Sequence, residues 1–321
     1  MTNAVMSRLG VVNAAAPANW DDANALFLQE AMTDVLAAFD ETNVFSALHQ
    51  TRTIEKGKSA SFPVMWKASA RYHTAGTPIV GNNQIAHNEV VIKIDDKLIS
   101  DVFIYDLDEA KNHYDVRSEY TKQLGASLAR EYDQKVARMI VKAARASAIV
   151  SGGNGGSQIT DASAKTDGEI LAGMIFDAAQ ALDEKDVPEM DRYTVVKPAQ
   201  YYLLAQTTKI LNKDWGGAGS YSDGKVIKVA DTTIVKSNNL PSTNVVSATT
   251  GENNDYTGDF TTTAAVTFNK YAAGTVKLMD VKLQLSGEDF RIMYQGDLMV
   301  GSYALGHGIL RPDCAVELAT A

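Results

Sequence analysis

DLDEAKNHYDVRSEYTKQLGASLAREYDQKVARMIVKAARAS (106–147) is the stretch on which the reading of this chain turns. Val116, Tyr120, Leu124, Leu128, Tyr132, Val136, Ile140 and Ala143 recur every three or four residues, which lays one apolar stripe along a helix. Asp106 and Glu109 make an Asp-x-x-Glu start, a variant of the capping box. Acids crowd the beginning (Asp106, Asp108, Glu109, Asp115, Glu119) and bases the end (Arg130, Lys135, Arg138, Lys142, Arg145), as the helix dipole favours. The pattern predicts a helix from 106 to Ser147, roughly 40 residues or ~60 Å if unbroken. Its weak point is Asn112–Asp115, where helix propensity is low. So long a helix is a scaffold element.

Upstream, residues 51–105 read as an extended loop of paired strands. TRTIEKGKSASFPVMW predicts strand, a turn at Glu55–Lys58, then strand, with Gly57 easing the turn. Pro63 confines the second strand to an edge or a bulge. Gly76, Pro78, Gly81, Asn82 and Asn83 mark a polar, flexible tip. HNEVVIKID brings the chain back, and a tight turn at Asp95–Lys97 leads into LISDVFIYD. A polar tip with so few anchors argues for contact outside the subunit or for disorder.

Residues 1–20 read as a mobile or extended arm, followed by a helix from Asp21 or Asp22 to about Phe39. SGGNGGS (151–157) reads as a flexible linker. Beyond it, Ile170, Leu171, Met174, Ile175, Ala178 and Leu182 predict an amphipathic helix. RYTVVK then predicts a strand, and PAQYYLLAQ a helix with Pro198 in its first turn. KVIKVADTTIVKSNNLP gives two strands around a turn, and residues 242–265 read as surface loops. Strands return at GTVKLMDVKLQLS and DFRIMYQGDLMVGSY, with a switch of apolar face between Leu278 and Met279 that suggests a bulge.

The chain has 321 residues and a net charge of −9, with no basic stripe of the kind a dedicated nucleic-acid binder carries. Cys314 is the single cysteine, so no intrachain disulfide forms. No run approaches the length of a membrane span, and the first residues lack a signal peptide's apolar core. The chain is expected to stay where it is made.

No catalytic, cofactor-binding or metal-binding constellation stands out. Gly219–Lys225 matches GxxxxGK, but Val226 replaces the Ser or Thr that would hold Mg²⁺, and a strand follows where a helix is needed. The reading is a polar loop. His49, His73, His87, His113 and His307 lack metal-site spacing. His307, between two glycines, reads as structural, His113 as a helix-terminus hydrogen-bonder, and Cys314 as packing. Arg117 and Glu119 are candidates for inter-subunit ion pairs, set against a solvated helix face.

Three blocks carry a resemblance to a known family: TIEKGKSASFPV (53–64), YDLDEAKNHYDVRSEYTKQLGASLAREYD (105–133), and GTVKLMD (274–280) with YALGHGILRPDCAVEL (303–318). VPEMDRYTVVKPAQYYLL followed by VKSNNLP adds to them. Together they resemble the major capsid proteins of tailed phages with the Hong Kong 97 fold, in particular those of short-tailed phages of the T-seven type. The resemblance implies an α+β fold with an N-terminal arm (1–50) and an extended loop (51–105). It implies a peripheral domain (106–165 with 270–321) around the long spine helix, and an axial domain (166–269). It implies hexamers and pentamers closing an icosahedral shell around double-stranded DNA, with a scaffolding protein, a portal and a decoration or minor capsid protein as partners. The location implied is the virion, assembled in the host cytoplasm. The acidic balance suits a wall that must not adhere to packed DNA.

On this reading the inter-subunit contact candidates are Lys67, Arg71, Tyr72, Thr77, Ile79, Asn82, Arg117 and Glu119. Nothing singles out Lys56, Lys58 or Lys67 for the covalent cross-link of the fold's founding member. Two other readings have their own discriminators: packaged enzyme cargo for an encapsulin-like compartment, and ATP binding lost in Lys225→Ala for a nucleotide-dependent enzyme.

Overall fold

The structure, a computed structural model, describes residues 34, 35, 37–39, 43–79, 81, 85–107, 116–207 and 228–321. In chain order the elements are β1 (Gln50–Thr53), β2 (Ser59–Met65), β3 (His87–Lys93), β4 (Leu98–Tyr105), α1 (Val116–Arg145), β5 (Ser157–Thr160) and α2 (Gly168–Glu184). There follow β6 (Arg192–Val196), α3 (Pro198–Gln206), β7 (Lys228–Val229), β8 (Thr232–Lys236), β9 (Asn244–Val245), β10 (Gly258–Asp259) and β11 (Thr263–Asn269). The last are β12 (Ala273–Leu285), α4 (Glu288–Tyr294), β13 (Gly296–Ile309), a short 3-10 turn and β14 (Ala315–Ala319).

Two compact units share these elements. The first holds Met1–Asn43, Lys97–Tyr132 and Met279–Ala304; the second holds Val44–Asp96, Asp133–Leu278 and Leu305–Ala321. The predicted long helix is regular over the 30 residues of α1. Its weak point at Asn112–Asp115, and His113 with it, lies outside the described residues. The stripe from Leu124 through Leu128, Tyr132, Val136, Ile140 and Ala143 is buried, whereas Tyr120, expected on it, is exposed. Apolar burial of this kind stabilises by about 1.5–3 kcal/mol per large side chain.

In the first unit, β4 pairs antiparallel with β13, from Leu98↔Tyr303 to Tyr105↔Gly296. Phe39 packs edge-on against Tyr132 and Tyr303, with ring centroids 5.9 and 6.4 Å apart. In the second unit a six-stranded sheet has the order β5-β14-β11-β6-β8-β7. Its central strands β11 and β14 are buried along their whole length, with α2 packed against them. The C-terminal strand β14 thus joins β6, β8 and β11, segments that the sequence reading placed in another domain.

Several expectations need correction. β1 does not pair with β2 across the Glu55–Lys58 turn. It runs parallel to β12, Gln50↔Gly274 to Thr53↔Lys277, where existing ladder groups satisfy its backbone. β2 pairs instead with β3, Ser59↔Lys93 to Met65↔His87, in a two-stranded ribbon in which Pro63 sits on an edge. SGGNGGS is no loose linker. A Cβ on Gly156 would lie 2.2 Å from the Ala144 carbonyl oxygen and 2.4 Å from that of Ala143, so glycine there permits close backbone packing on the end of α1. Residues 242–265 are not simply surface loops: Tyr256 and Phe260 are fully buried, and β9 pairs with β10. Along β12, burial is continuous over Ala273–Val276 and alternates from Asp280 on. The expected switch of face at Leu278–Met279 therefore falls at the boundary between units, within one continuous strand.

The buried histidines are structural. His49 Nδ1 lies 2.6 Å from the Phe45 carbonyl oxygen, and its Nε2 lies 2.6 Å from Thr275 Oγ1, which lies 2.8 Å from His307 Nδ1. Burial holds both imidazoles below their ordinary pKa, His49 down to about 4. Burial pushes the Cys314 thiol up to about 12, which leaves it inert packing.

Candidate assembly surfaces

The base of the β2–β3 ribbon is clamped. Ile92 and Ile94 are buried, and a Cβ on Gly306 would fall 1.9 Å from the Lys93 carbonyl oxygen, so β13 presses directly on the ribbon's backbone. Asp95 follows at once and is almost fully buried. It accepts from Tyr256 Oη at 2.5 Å, from the Asn253 amide at 2.9 Å and from Asn254 Nδ2 at 3.0 Å. Lys135 lies 4.0 Å from Asp95, 3.4 Å from Glu252 and 5.0 Å from the centre of the Tyr256 ring. A buried carboxylate persists only with such partners. Burial, then the adjacent Asp95 charge, pushes the Tyr256 phenol far above its usual range, so it stays a donor.

Outward from this clamp the ribbon loses cover. Of the seven residues of β2 only Ala60 is buried, and of β3 only Ile92. An isolated two-stranded ribbon is marginally stable in water, so its exposed length needs a partner surface. Beyond Met65 the apolar side chains of Tyr72, Ile79 and Ile85 stand in solvent, Tyr72 entirely so.

The expected contact residues divide accordingly. Arg71, Tyr72, Thr77 and Ile79 are each exposed in the segment beyond β2, where the Thr77 hydroxyl donates to the Thr74 carbonyl at 2.7 Å. Asn82 lies outside the described residues. Lys67 pairs with Asp186 and lies 5.9 Å from the Trp66 ring centre. Both members of that ion pair are exposed, which limits its worth to ~0–1 kcal/mol. Arg117 already has a partner within its own unit: it donates at 2.8 Å to Asp297, which also receives Arg291 at 2.8 Å. Glu119 accepts from Gln123 at 3.2 Å along the exposed helix face.

A second exposed face escaped the sequence reading. In the first unit Ile99, Phe103 and Tyr105 project from the open side of β4, and Ile292, Met293 and Tyr294 from α4. Phe103 meets Phe290 edge-on at 6.2 Å, and Phe290 lies 4.5 Å from Tyr294, so the rings form one patch. The signal was present in LISDVFIYD, where both alternating sets are largely apolar. A strand with two apolar faces is built to be covered on both.

Among the described residues, no group of three or more His, Cys, Asp or Glu side chains could hold a metal ion. Among the same residues, no helix is long and apolar enough to cross a membrane. The GxxxxGK stretch at 219–225 lies outside the described residues.

Comparison with known proteins places these surfaces in context. Residues 61–319 match the model of the family described as "Gp10A-like: Major capsid protein". The major capsid protein of Escherichia phage T7 is 31% identical, over 92% of this chain and 91% of its own length. That of Enterobacteria phage T3 is also 31% identical, with 92% and 91% covered. The capsid structure of the cyanophage P-SCSP1u superposes with a TM-score of 0.81 at 47% identity, covering 100% of this chain and 99% of that one. The mixed helix and strand architecture is the Hong Kong 97-type capsid fold. The chain belongs to the Gp10A-like family of major capsid proteins, structural proteins that form the shell of tailed phages.

Proposed function

We propose that copies of this chain associate into hexamers and pentamers and close an icosahedral shell around a double-stranded DNA genome, with the extended loop of each copy lying on its neighbours. One observation carries the reading: a ribbon clamped at its base by the Asp95 network, only partly covered along β2 and β3, and exposed at the tip. A rigid base with an uncovered apolar end suits a reach to a second copy. The tip residues Arg71, Tyr72, Thr77, Ile79 and Asn82, with Lys67 at the ribbon's end, would make those contacts. Arg117 and Glu119 at the start of α1 would add polar ones. The β4–α4 patch supports a second face between copies.

Residues 1–50 would serve as the arm, 106–165 with 270–321 as the peripheral domain and 166–269 as the axial domain. A scaffolding protein and a portal would guide assembly in the host cytoplasm, with a decoration or minor capsid protein as a further partner. The DNA would be enclosed without sequence-specific contact, which the chain's net charge of −9 favours.

Electron microscopy of the chain co-expressed with its scaffolding protein tests this. Closed icosahedral particles are the expected result. Folded monomers that persist at high concentration, with and without scaffolding protein, would overturn it.

A further inference from the structure

We infer that a polar hollow beside α1 is a phosphate-binding site. The hollow encloses about 260 Å³ and is lined by Gln134 and Arg138 of α1, Lys197 at the start of α3, and Asn238, Asn239 and Ser242 of the loop after β8, among others. The topology makes them meet. β6 and β8 are parallel neighbours with Val196 opposite Lys236, so both strands end at the same place. Lys197 directly follows one strand end, and Asn238 stands two residues past the other. Gln134 and Arg138, four residues apart, share one face of α1. Lys197 is also the N-cap of α3, and no side chain caps that helix, whose positive end favours an anion.

The charge balance points the same way. Neither the Arg138 nor the Lys197 side chain has a hydrogen-bond or ion-pair partner among the described residues. Among the described residues, no carboxylate lines the hollow. The nearby Asp133 is buried and already satisfied by the amides of Val44 and Phe45, at 2.9 and 3.1 Å, and by Asn239 Nδ2 at 3.1 Å. Burial, then the like charge of Lys165, holds the Lys197 ammonium below its ordinary pKa, a state that a bound anion would relieve. Two cations without an ion-pair partner among the described residues thus line a donor-rich hollow in a chain whose net charge is −9.

An arginine fork, a lysine point charge, amides and hydroxyls are the set that engages a tetrahedral anion with several oxygens. The volume admits a phosphate group with its waters. The phosphate can be free or part of a nucleic-acid backbone; the chemistry recognised is the same.

The test uses the full chain in phosphate-free buffer. Inorganic phosphate is titrated calorimetrically, and a short labelled DNA duplex is followed by anisotropy over a range of salt. Arg138→Gln and Lys197→Gln are compared with wild type and with Lys228→Gln, an exposed control on β7. Thermal melts check that each variant is folded. Saturable phosphate binding, weakened roughly tenfold or more by either hollow variant and untouched by the control, is the expected result. A parallel loss for the duplex, with the salt slope falling by about one per cation removed, assigns the phosphate to nucleic acid. Duplex binding that does not change assigns it to free phosphate. Absence of saturable phosphate binding, or folded variants that bind like wild type, overturns the site. Variants that keep phosphate affinity but fail to form shells overturn it too, in favour of a carboxylate from a second copy.

Discussion

Tyr256 Oη donates to Asp95 Oδ2 at 2.5 Å across 161 positions of sequence, and thereby pins the loop at 249–256 to the root of the extended ribbon. The same oxygen accepts the His307 amide at 3.2 Å. Tyr256→Phe removes both contacts and leaves Asp95 short of a donor in a buried setting. Hydrogen bonds to charged groups are worth about 1.5–3 kcal/mol. Urea unfolding should show a loss of that size. An unchanged midpoint would mean that the amides of Asn253 and Asn254 suffice to hold Asp95.

Two glycines should respond in opposite directions. Gly156→Ala drives a methyl into the carbonyls of Ala143 and Ala144, and backbone cannot yield as a side-chain tip can. A loss of about 1–3 kcal/mol or more is expected. Gly173, inside α2, has open space around its Cβ position. Gly173→Ala should stabilise by about 0.5–1 kcal/mol through helix propensity. Paired thermal melts compare the two directly.

Acid sensitivity follows from His49. Its folded pKa is held at about 4, below its ordinary value of 6.5, so the native state binds fewer protons than the unfolded chain between those values. Stability contributed by keeping it neutral is therefore complete above pH 6.5 and is lost as pH falls toward 4. The full effect is on the order of 3 kcal/mol. Urea midpoints taken between pH 7 and 4.5 should fall in wild type and fall less in His49→Gln.

Deleting Thr77 to Gln84 removes the loop tip without touching its clamp. The subunit should fold with an unaltered melt, while the yield of closed particles drops sharply in electron micrographs. Normal particles from that deletion would show that the tip makes no needed contact.

Leu124 marks where the stripe of α1 becomes buried, with only 5% of its surface exposed. Leu124→Asp places a charge in that apolar contact and should cost several kcal/mol, enough to leave the chain insoluble or unfolded. Tyr120→Asp, one turn earlier and exposed, should be tolerated, and the soluble fraction on expression reports the contrast.

What the sequence reveals here is whatever is local. The periodicity of α1, Pro198 at the start of α3 and the hairpin turn at Ala230–Asp231 between β7 and β8 are written in neighbouring residues. So is Pro63 on its ribbon edge. The partner of β1 is not, because β12 lies more than two hundred positions away and nothing in QTRT specifies it. SGGNGGS deceives for a related reason: glycine serves flexibility in a linker and close approach in a packed turn, and only the neighbouring carbonyls tell which. The polar loop around Asn253–Tyr256 likewise looks like surface until the distant Asp95 is placed beside it. Of the candidate surfaces, the loop tip is the one the sequence proposes, from its polarity and its few anchors. The β4–α4 patch needed the strand's second apolar face to be taken seriously.

The thread from Phe45 to His307 has a definite sense. A carbonyl can only accept, so His49 carries its proton on Nδ1, and its neutral Nε2 must then receive the Thr275 hydroxyl proton. With that single hydrogen spent, Thr275 can only accept from His307 Nδ1. The Phe45 carbonyl thus sets the tautomer of His49 and, through one hydroxyl, that of His307. Serine at 275 would preserve this polarity and valine would erase it. Three residues from far-separated parts of the chain form a one-way relay of donors through an apolar interior, its direction dictated by the one group along it that has no proton to give.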